Sequence, residues 1–197
     1  PGNAPDPLTG NLYGAVADTF RISKHEVTNY QYAEFLNAVA KSDPNGLWTS
    51  DMDITRGGSS GTYTYAAVPS WGFKPVNYVS FFNSMRFTNW LENGEPTGAQ
   101  GAGTTEAGVY TIGTGLSETR AGGASYFIPS EDEWYKAAYH QPSGEGGDGD
   151  SYWLYPTGSN SIPGNDIGPL PLANHSNHND GNDYSVTQGG LYDANQN

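Results

Sequence analysis

The stretch Tyr126–Tyr139 constrains this chain most, because it fixes where extended chain must give way to helix. Tyr126, Phe127 and Ile128 are strand formers, and Pro129 cannot continue a ladder. Ser130 followed by Glu133 reads as a capping box, in which the hydroxyl takes an N–H of the first turn and the carboxylate reaches back to the cap. Glu131 and Asp132 fall where the helix dipole favours negative charge. Trp134, Ala137 and Ala138 then share one face, so the spacing predicts a helix anchored by Trp134, with the two alanines allowing close approach.

The chain upstream carries two more such starts. Residues 1–19 are rich in turn formers with room for one edge strand, and the alternation from Phe20 to Val27 reads as a strand. Thr28 with Gln31 forms a second capping box, and Tyr32, Phe35, Leu36 and Val39 follow at helical spacing, so a helix is expected from about Asn29 to Lys41. Asp43-Pro44-Asn45-Gly46 ends it. The glycines from Gly57 to Gly61, next to alternating Tyr63-Thr64-Tyr65, fit a short hairpin or an extended surface loop. They do not fit a phosphate cradle, because no Gly-Lys-Ser/Thr follows. Ser80 is an N-cap for a central helix from Phe81 to about Glu92, apolar on more than one side through Phe82, Met85, Phe87, Trp90 and Leu91, and closed by Asn93-Gly94. In the Gly/Thr/Ala-rich span that follows, only Val109–Ile112 is strand-like.

Composition narrows the function classes. With 21 acidic and 8 basic residues the net charge is −13, and no Lys/Arg cluster exists to grip phosphates, so nucleic acid is not expected as a partner. Aromatics at 13 % against charged residues at 15 % describe a loop-rich globular chain with aromatic anchors. The chain has no Cys, so these residues build no disulfide and no thiolate site. No apolar run is long enough to span a membrane and no signal peptide is visible. The start at Pro1-Gly2-Asn3 is unlike a translation start and is read as a processed or truncated N-terminus. At 197 residues the expectation is one domain over 1–197.

Three ordered stretches resemble the formylglycine-generating enzyme family, also called the sulfatase-modifying-factor domain: Pro129–Ala138, Lys24–Leu36, and Pro75–Phe82 continuing through Phe87-Thr88-Asn89-Trp90-Leu91. Tyr152–Gly158 resembles a loosened form of the family's Tyr-Pro-Trp-Gly turn. The resemblance implies an α+β fold, a variant of the C-type-lectin-like fold with low regular content and long loops, in which the first two helices pack beside each other against small twisted sheets. It covers the N-terminal two-thirds of the family's domain. In the resembled enzyme a substrate cysteine is oxidised by a cysteine pair and copper held beyond the point where this chain ends at Asn197. The segment from Leu172 to Asp183 resembles the stretch where the family holds a structural calcium. By position Asn174 gives a side-chain oxygen, His175 a carbonyl, and Asp183 or Asp180 the carboxylate, a hard-oxygen set suited to that ion. Chelation is therefore expected to lower the thermal transition; a transition unmoved by chelator or by added calcium removes the site.

Other candidates are weaker. His175 and His178 are three apart but lack a third zinc ligand, and Asp148-Gly149-Asp150 is too short to define a calcium clip. Asn174-His175-Ser176 matches a glycosylation sequon. Glu26 precedes the first helix and is assigned to local hydrogen bonding there, not to acid–base chemistry. The Gly/Asn/Thr-rich loops look like those of exported bacterial members of the family, which implies an extracellular or cell-surface location. The reading is a non-catalytic exported binding or structural module that engages protein or carbohydrate through Tyr-, Asn- and Trp-rich loops, self-association included. The alternative is a copper-dependent formylglycine-generating oxidase whose catalytic part is absent from this chain, and no catalytic residue is assigned within it.

Overall fold

A computed structural model describes residues 5, 10–113, 115, 118–141, 151–162 and 164. Its elements are α1 (Asn29–Val39), β1 (Ile54–Gly57), β2 (Thr64–Ala67), a 3-10 turn (Pro69–Trp71), α2 (Phe81–Glu92) and α3 (Glu131–Tyr139). They fall into two compact units. Among the described residues, one is His25–Ile128 and the other joins those up to Lys24 to those from Pro129 onward. The described part is mixed α+β with little regular structure.

In the His25–Ile128 unit the helix starts stand where the caps put them. Thr28 accepts from the Gln31 N–H, and the Gln31 side chain accepts from the Thr28 N–H at 2.9 Å. Ser80 accepts from the Asn83 N–H. The apolar stripe of α1 is buried as its spacing predicts: Tyr32, Phe35, Leu36 and Val39 are at most 1 % exposed. Phe35 packs edge-on to Phe87 of α2 at 5.3 Å and against Trp90 at the same centroid distance. Leu47, Met52, Ile54 and Tyr65 complete this core. A second cluster joins Met85 of α2 to Val109 and Tyr110, with Phe82, Ile112, Phe127 and Ile128 at its margin.

The sheet among the described residues is one antiparallel hairpin, with Ile54 opposite Ala67 and Gly57 opposite Thr64. Gly58 and Gly61 turn it with φ of +83° and +95°, which side chains resist. The free edge of β2 is closed by a side chain. Asn37 of α1 donates to the Tyr65 carbonyl at 2.8 Å and accepts the Tyr65 N–H at 2.9 Å.

Several expected strands are absent from the described residues. None forms over 10–19, and Phe20–Val27 makes none; a lone bridge from Thr28 to Pro75 and the Val76 N–H on the Val27 carbonyl end that pairing. Val109–Ile112 is not a strand, because the Asn89 amide occupies both backbone groups of Tyr110. Tyr126–Ile128 is not one either: Glu92 accepts the Tyr126 N–H at 2.9 Å and the Tyr110 hydroxyl accepts the Ile128 N–H at 3.1 Å. Side chains here satisfy backbone that a ladder would otherwise satisfy, which is why regular content stays low.

In the second unit α3 carries the expected Ser130–Glu133 capping box. Trp134 is not its anchor. It is 50 % exposed, whereas Glu133 is buried by its capping role. The helix is instead held by tyrosines. Tyr135 stacks on Tyr139 at 4.6 Å and also meets Tyr152 at 5.6 Å and Tyr13 at 6.2 Å. Burial followed by the neighbouring Tyr135 raises the Tyr139 hydroxyl above its ordinary pKa. Backbone bonds from Gln141 to Ser151 and from Trp153 to Tyr139 tie the helix end to the 151–153 segment.

Candidate functional site

The start of α1 builds an aromatic surface in the His25–Ile128 unit. A helix N-terminus leaves N–H groups unpaired, and here a turn supplies their acceptors. The Asn29 N–H donates to the Lys74 carbonyl and the Tyr30 N–H to the Gly72 carbonyl, both at 3.0 Å. The Asn29 side-chain nitrogen donates to the carbonyls of Trp71 at 2.9 Å and Lys74 at 3.1 Å. These donations fix the amide's orientation and leave its oxygen buried without a partner. Asn29 is thus the peg on which the 71–75 turn hangs.

That turn presents Trp71 and Phe73 to solvent beside Tyr30. Tyr30 is 41 %, Trp71 37 % and Phe73 56 % exposed, and Tyr30 meets Phe73 edge-on at 4.9 Å. Gly72 between them has no room for a side chain, because a Cβ would run into the Tyr30 ring. Further along the same segment Tyr78 and Phe81 are exposed as well, at 62 % and 63 %. Tyr78 also has φ of +57°, a conformation that costs an ordinary residue about 1 kcal/mol or more.

On the hairpin, the Arg56 guanidinium lies over Trp48 at 4.0 Å and over Tyr63 at 4.3 Å. This sandwich covers two large rings with a cation instead of leaving them bare.

A polar clasp joins three segments of the same unit. Arg86 of α2 donates through Nε and Nη2 to the two oxygens of Glu106, at 2.8 and 3.0 Å. Glu106 Oε1 also accepts from Thr105 at 2.8 Å and Asn45 at 3.0 Å. Asn83 donates to the Gly46 carbonyl. Asp43 accepts the Leu47 and Trp48 N–H groups and the Gln100 amide. Burial alone would raise the Glu106 carboxyl; the hydrogen bonds from Arg86 and Thr105 and the Arg86 charge outweigh it and hold the carboxyl below its ordinary range. A carboxylate so held is a poor proton donor at neutral pH, so this clasp is read as structural. Among the described residues no group of three or more His, Asp or Glu side chains converges.

The expected calcium ligands Asn174, His175 and Asp183, with Asp180 and His178, lie outside the described residues, as does Asp148-Gly149-Asp150. The surface aromatics were legible only as outliers. Tyr30 falls opposite the Tyr32/Phe35/Leu36/Val39 stripe, and Phe81 lies outside the apolar positions that mark α2 as central. No helix of the described residues is long and apolar enough to cross a membrane.

A family model described as the sulfatase-modifying factor enzyme 1-like domain matches residues 14–194. No curated protein and no solved structure matches the chain.

Proposed function

The chain belongs to the sulfatase-modifying factor enzyme 1-like domain family, and on that premise we propose that it is a non-catalytic, exported binding or structural module on a variant C-type-lectin-like fold. The observation that carries this reading is the run of exposed aromatics from Trp71 to Phe81, joined by Tyr30. Large apolar side chains left in water mark interaction surfaces when they are grouped. Tyrosine and tryptophan rings supply wide contact area at low entropic cost, and they suit the faces of sugar rings as well as protein partners. The rigid Asn29–Gly72 frame holds Tyr30 and Phe73 in place before any ligand arrives.

The test is binding to a glycan panel and to a second copy of the chain, read by calorimetry and by sedimentation. Trp71→Ala and Phe73→Ala are expected to weaken the interaction about 10-fold or more while leaving the thermal transition nearly unmoved. Gly72→Ala is expected to act in the same direction by displacing the Tyr30 ring. Binding that survives the two truncations unchanged would sink this surface as the site.

Family membership equally supports the alternative, a copper-dependent oxidase that converts a substrate cysteine to formylglycine with residues outside this chain. Incubating the full natural protein with copper, oxygen, a thiol reductant to supply the second electron pair for reducing oxygen to water, and a cysteine peptide separates the two. A peptide mass corresponding to formylglycine establishes the oxidase; an unchanged peptide leaves the binding module.

A further inference from the structure

We propose that the cleft in the unit built on α3 is a binding site for a small carboxylate. The cleft measures ≈ 470 Å³, the size of a small-ligand site, and is lined by residues 14–17 with Lys136, His140, Ser151 and Tyr152. The inference goes beyond the aromatic surface and does not depend on it.

The floor is rigid and its hydrogen bonds are spent. The Gly14 N–H donates to Asp132 at 2.8 Å, and the Gly14 carbonyl accepts the Tyr152 hydroxyl at 3.1 Å and the Val16 N–H at 3.0 Å. Gly14 has φ of +93°, and a Cβ there would stand 2.5 Å from the Tyr152 hydroxyl, so only glycine closes this corner.

The wall, by contrast, holds unused positive charge. Lys136 Nζ donates to the Val16 carbonyl at 3.2 Å, which occupies one of its three N–H groups and neutralises none of its charge. His140, one turn further along, sets its ring edge-on to Tyr152 at 5.3 Å. Neither of its ring nitrogens is engaged by a described residue. Among the described residues no Asp or Glu lines the cleft. Asp132, on the preceding turn of α3, accepts the Gly14 N–H at 2.8 Å and keeps its negative charge behind that backbone. A cation held against a neutral carbonyl, beside a second basic ring and the Ser151 hydroxyl, matches a carboxylate better than a neutral or cationic ligand. The attraction of Lys136 for such a carboxylate acts only over short range at ordinary salt.

The carboxylate could belong to an acidic sugar or to a peptide C-terminus. Glucuronate, N-acetylglycine and acetate are therefore titrated separately into the ¹⁵N-labelled full chain at fixed ionic strength, following the amides of Gly14–Ala17 and the side chains of Lys136 and His140. Saturable shifts confined to these residues are expected for at least one probe. Lys136→Gln is expected to weaken binding at least about 10-fold, the effect of losing a charge-assisted hydrogen bond. Lys136→Arg is expected to retain binding within a few-fold. Because Lys136 also tethers Val16, His140→Gln serves as a second variant that removes no hydrogen bond to a described residue; it is expected to weaken the same probe several-fold. Preference for glucuronate assigns the carboxylate to a sugar, preference for N-acetylglycine to a peptide end, and equal response to the carboxylate alone. Shifts that never saturate, or an affinity unchanged in both Lys136→Gln and His140→Gln, overturn the proposal.

Discussion

Replacing Asn89 by leucine is expected to cost on the order of 4 kcal/mol or more, enough to unfold a domain of ordinary stability. The argument is one of accounting for backbone groups. Asn89 is fully buried on α2, and its amide nitrogen donates to the carbonyls of Thr105 and Tyr110, each at 2.8 Å. Its amide oxygen accepts the Tyr110 N–H at 2.8 Å. Leucine has the same branched skeleton of side-chain heavy atoms and supplies none of these bonds. Two carbonyls and one N–H would then be buried unpaired, each at about 1–3 kcal/mol. The neighbouring Gly108 leaves no slack for rearrangement, since a Cβ there would already lie 3.0 Å from the Asn89 side-chain oxygen. Asn89→Asp separates the contributions. Its carboxylate keeps the acceptor but faces two carbonyls with negative charge, so the folded state holds a proton on it more tightly than the unfolded state does. The variant is therefore expected to be more stable in mild acid than at neutral pH, because stabilisation tied to a raised folded pKa is present below the unfolded value and lost as pH rises. Urea denaturation of both variants checks this; a loss below about 1 kcal/mol for Asn89→Leu would show that water replaces the amide.

The same asparagine marks the boundary of what could be read from the residues. Helix starts were legible because capping is local: Thr28, Ser80 and Ser130 each act within three residues, and all three hold in the structure. The stripe of α1 was legible because burial there follows helical periodicity. Strands were misread for a non-local reason. Val109–Ile112 and Tyr126–Ile128 have strand-like composition, yet their backbone partners are Asn89, Glu92 and Tyr110, between 18 and 34 positions away for the bonds at issue. No propensity encodes that. A usable signal was present in the form of Asn37, Asn83 and Asn89, amides sitting in helices otherwise fit for packing. Trp134 failed differently. Its spacing with Ala137 and Ala138 is helical, but Tyr135 and Tyr139, also four apart, stack on each other, and Tyr135 meets Tyr152, so that row sets the face. The aromatic surface was invisible to periodicity because it consists of the residues that break it. Family motifs reached further than either kind of pattern, since three short matches anticipated the family over most of the chain.

Acid is expected to loosen the His25–Ile128 unit through Glu106. The Glu106 carboxyl is held below its ordinary value of 4.5, since the hydrogen bonds and charge of Arg86 and the hydroxyl of Thr105 outweigh the effect of burial. A depressed folded pKa contributes stability that is complete above the unfolded value and lost as pH falls through the folded one. The acid limb therefore lies below about pH 4.5 and should be absent from Glu106→Gln. At neutral pH that variant is expected to lose about 2 kcal/mol, less than for a fully buried pair because Arg86 and Glu106 are 13 % and 28 % exposed. Glutamine keeps the oxygen that serves Arg86, Thr105 and Asn45, but its amide nitrogen would meet an Arg86 N–H donor to donor. Arg86→Gln alone strands the carboxylate and should cost as much. The double variant is expected to be less destabilised than the sum of the two, with a coupling of about 1–2 kcal/mol. Thermal transitions measured across the acid range decide the matter. A wild-type profile parallel to that of Glu106→Gln would assign the acid sensitivity to other carboxylates, and additive single variants would reduce the clasp to packing. The outcome also bears on the aromatic surface. The clasp and the Asn29 peg lie in one unit, so if acid releases that unit as a whole, ligand binding through Trp71 and Phe73 is expected to fall over the same pH range.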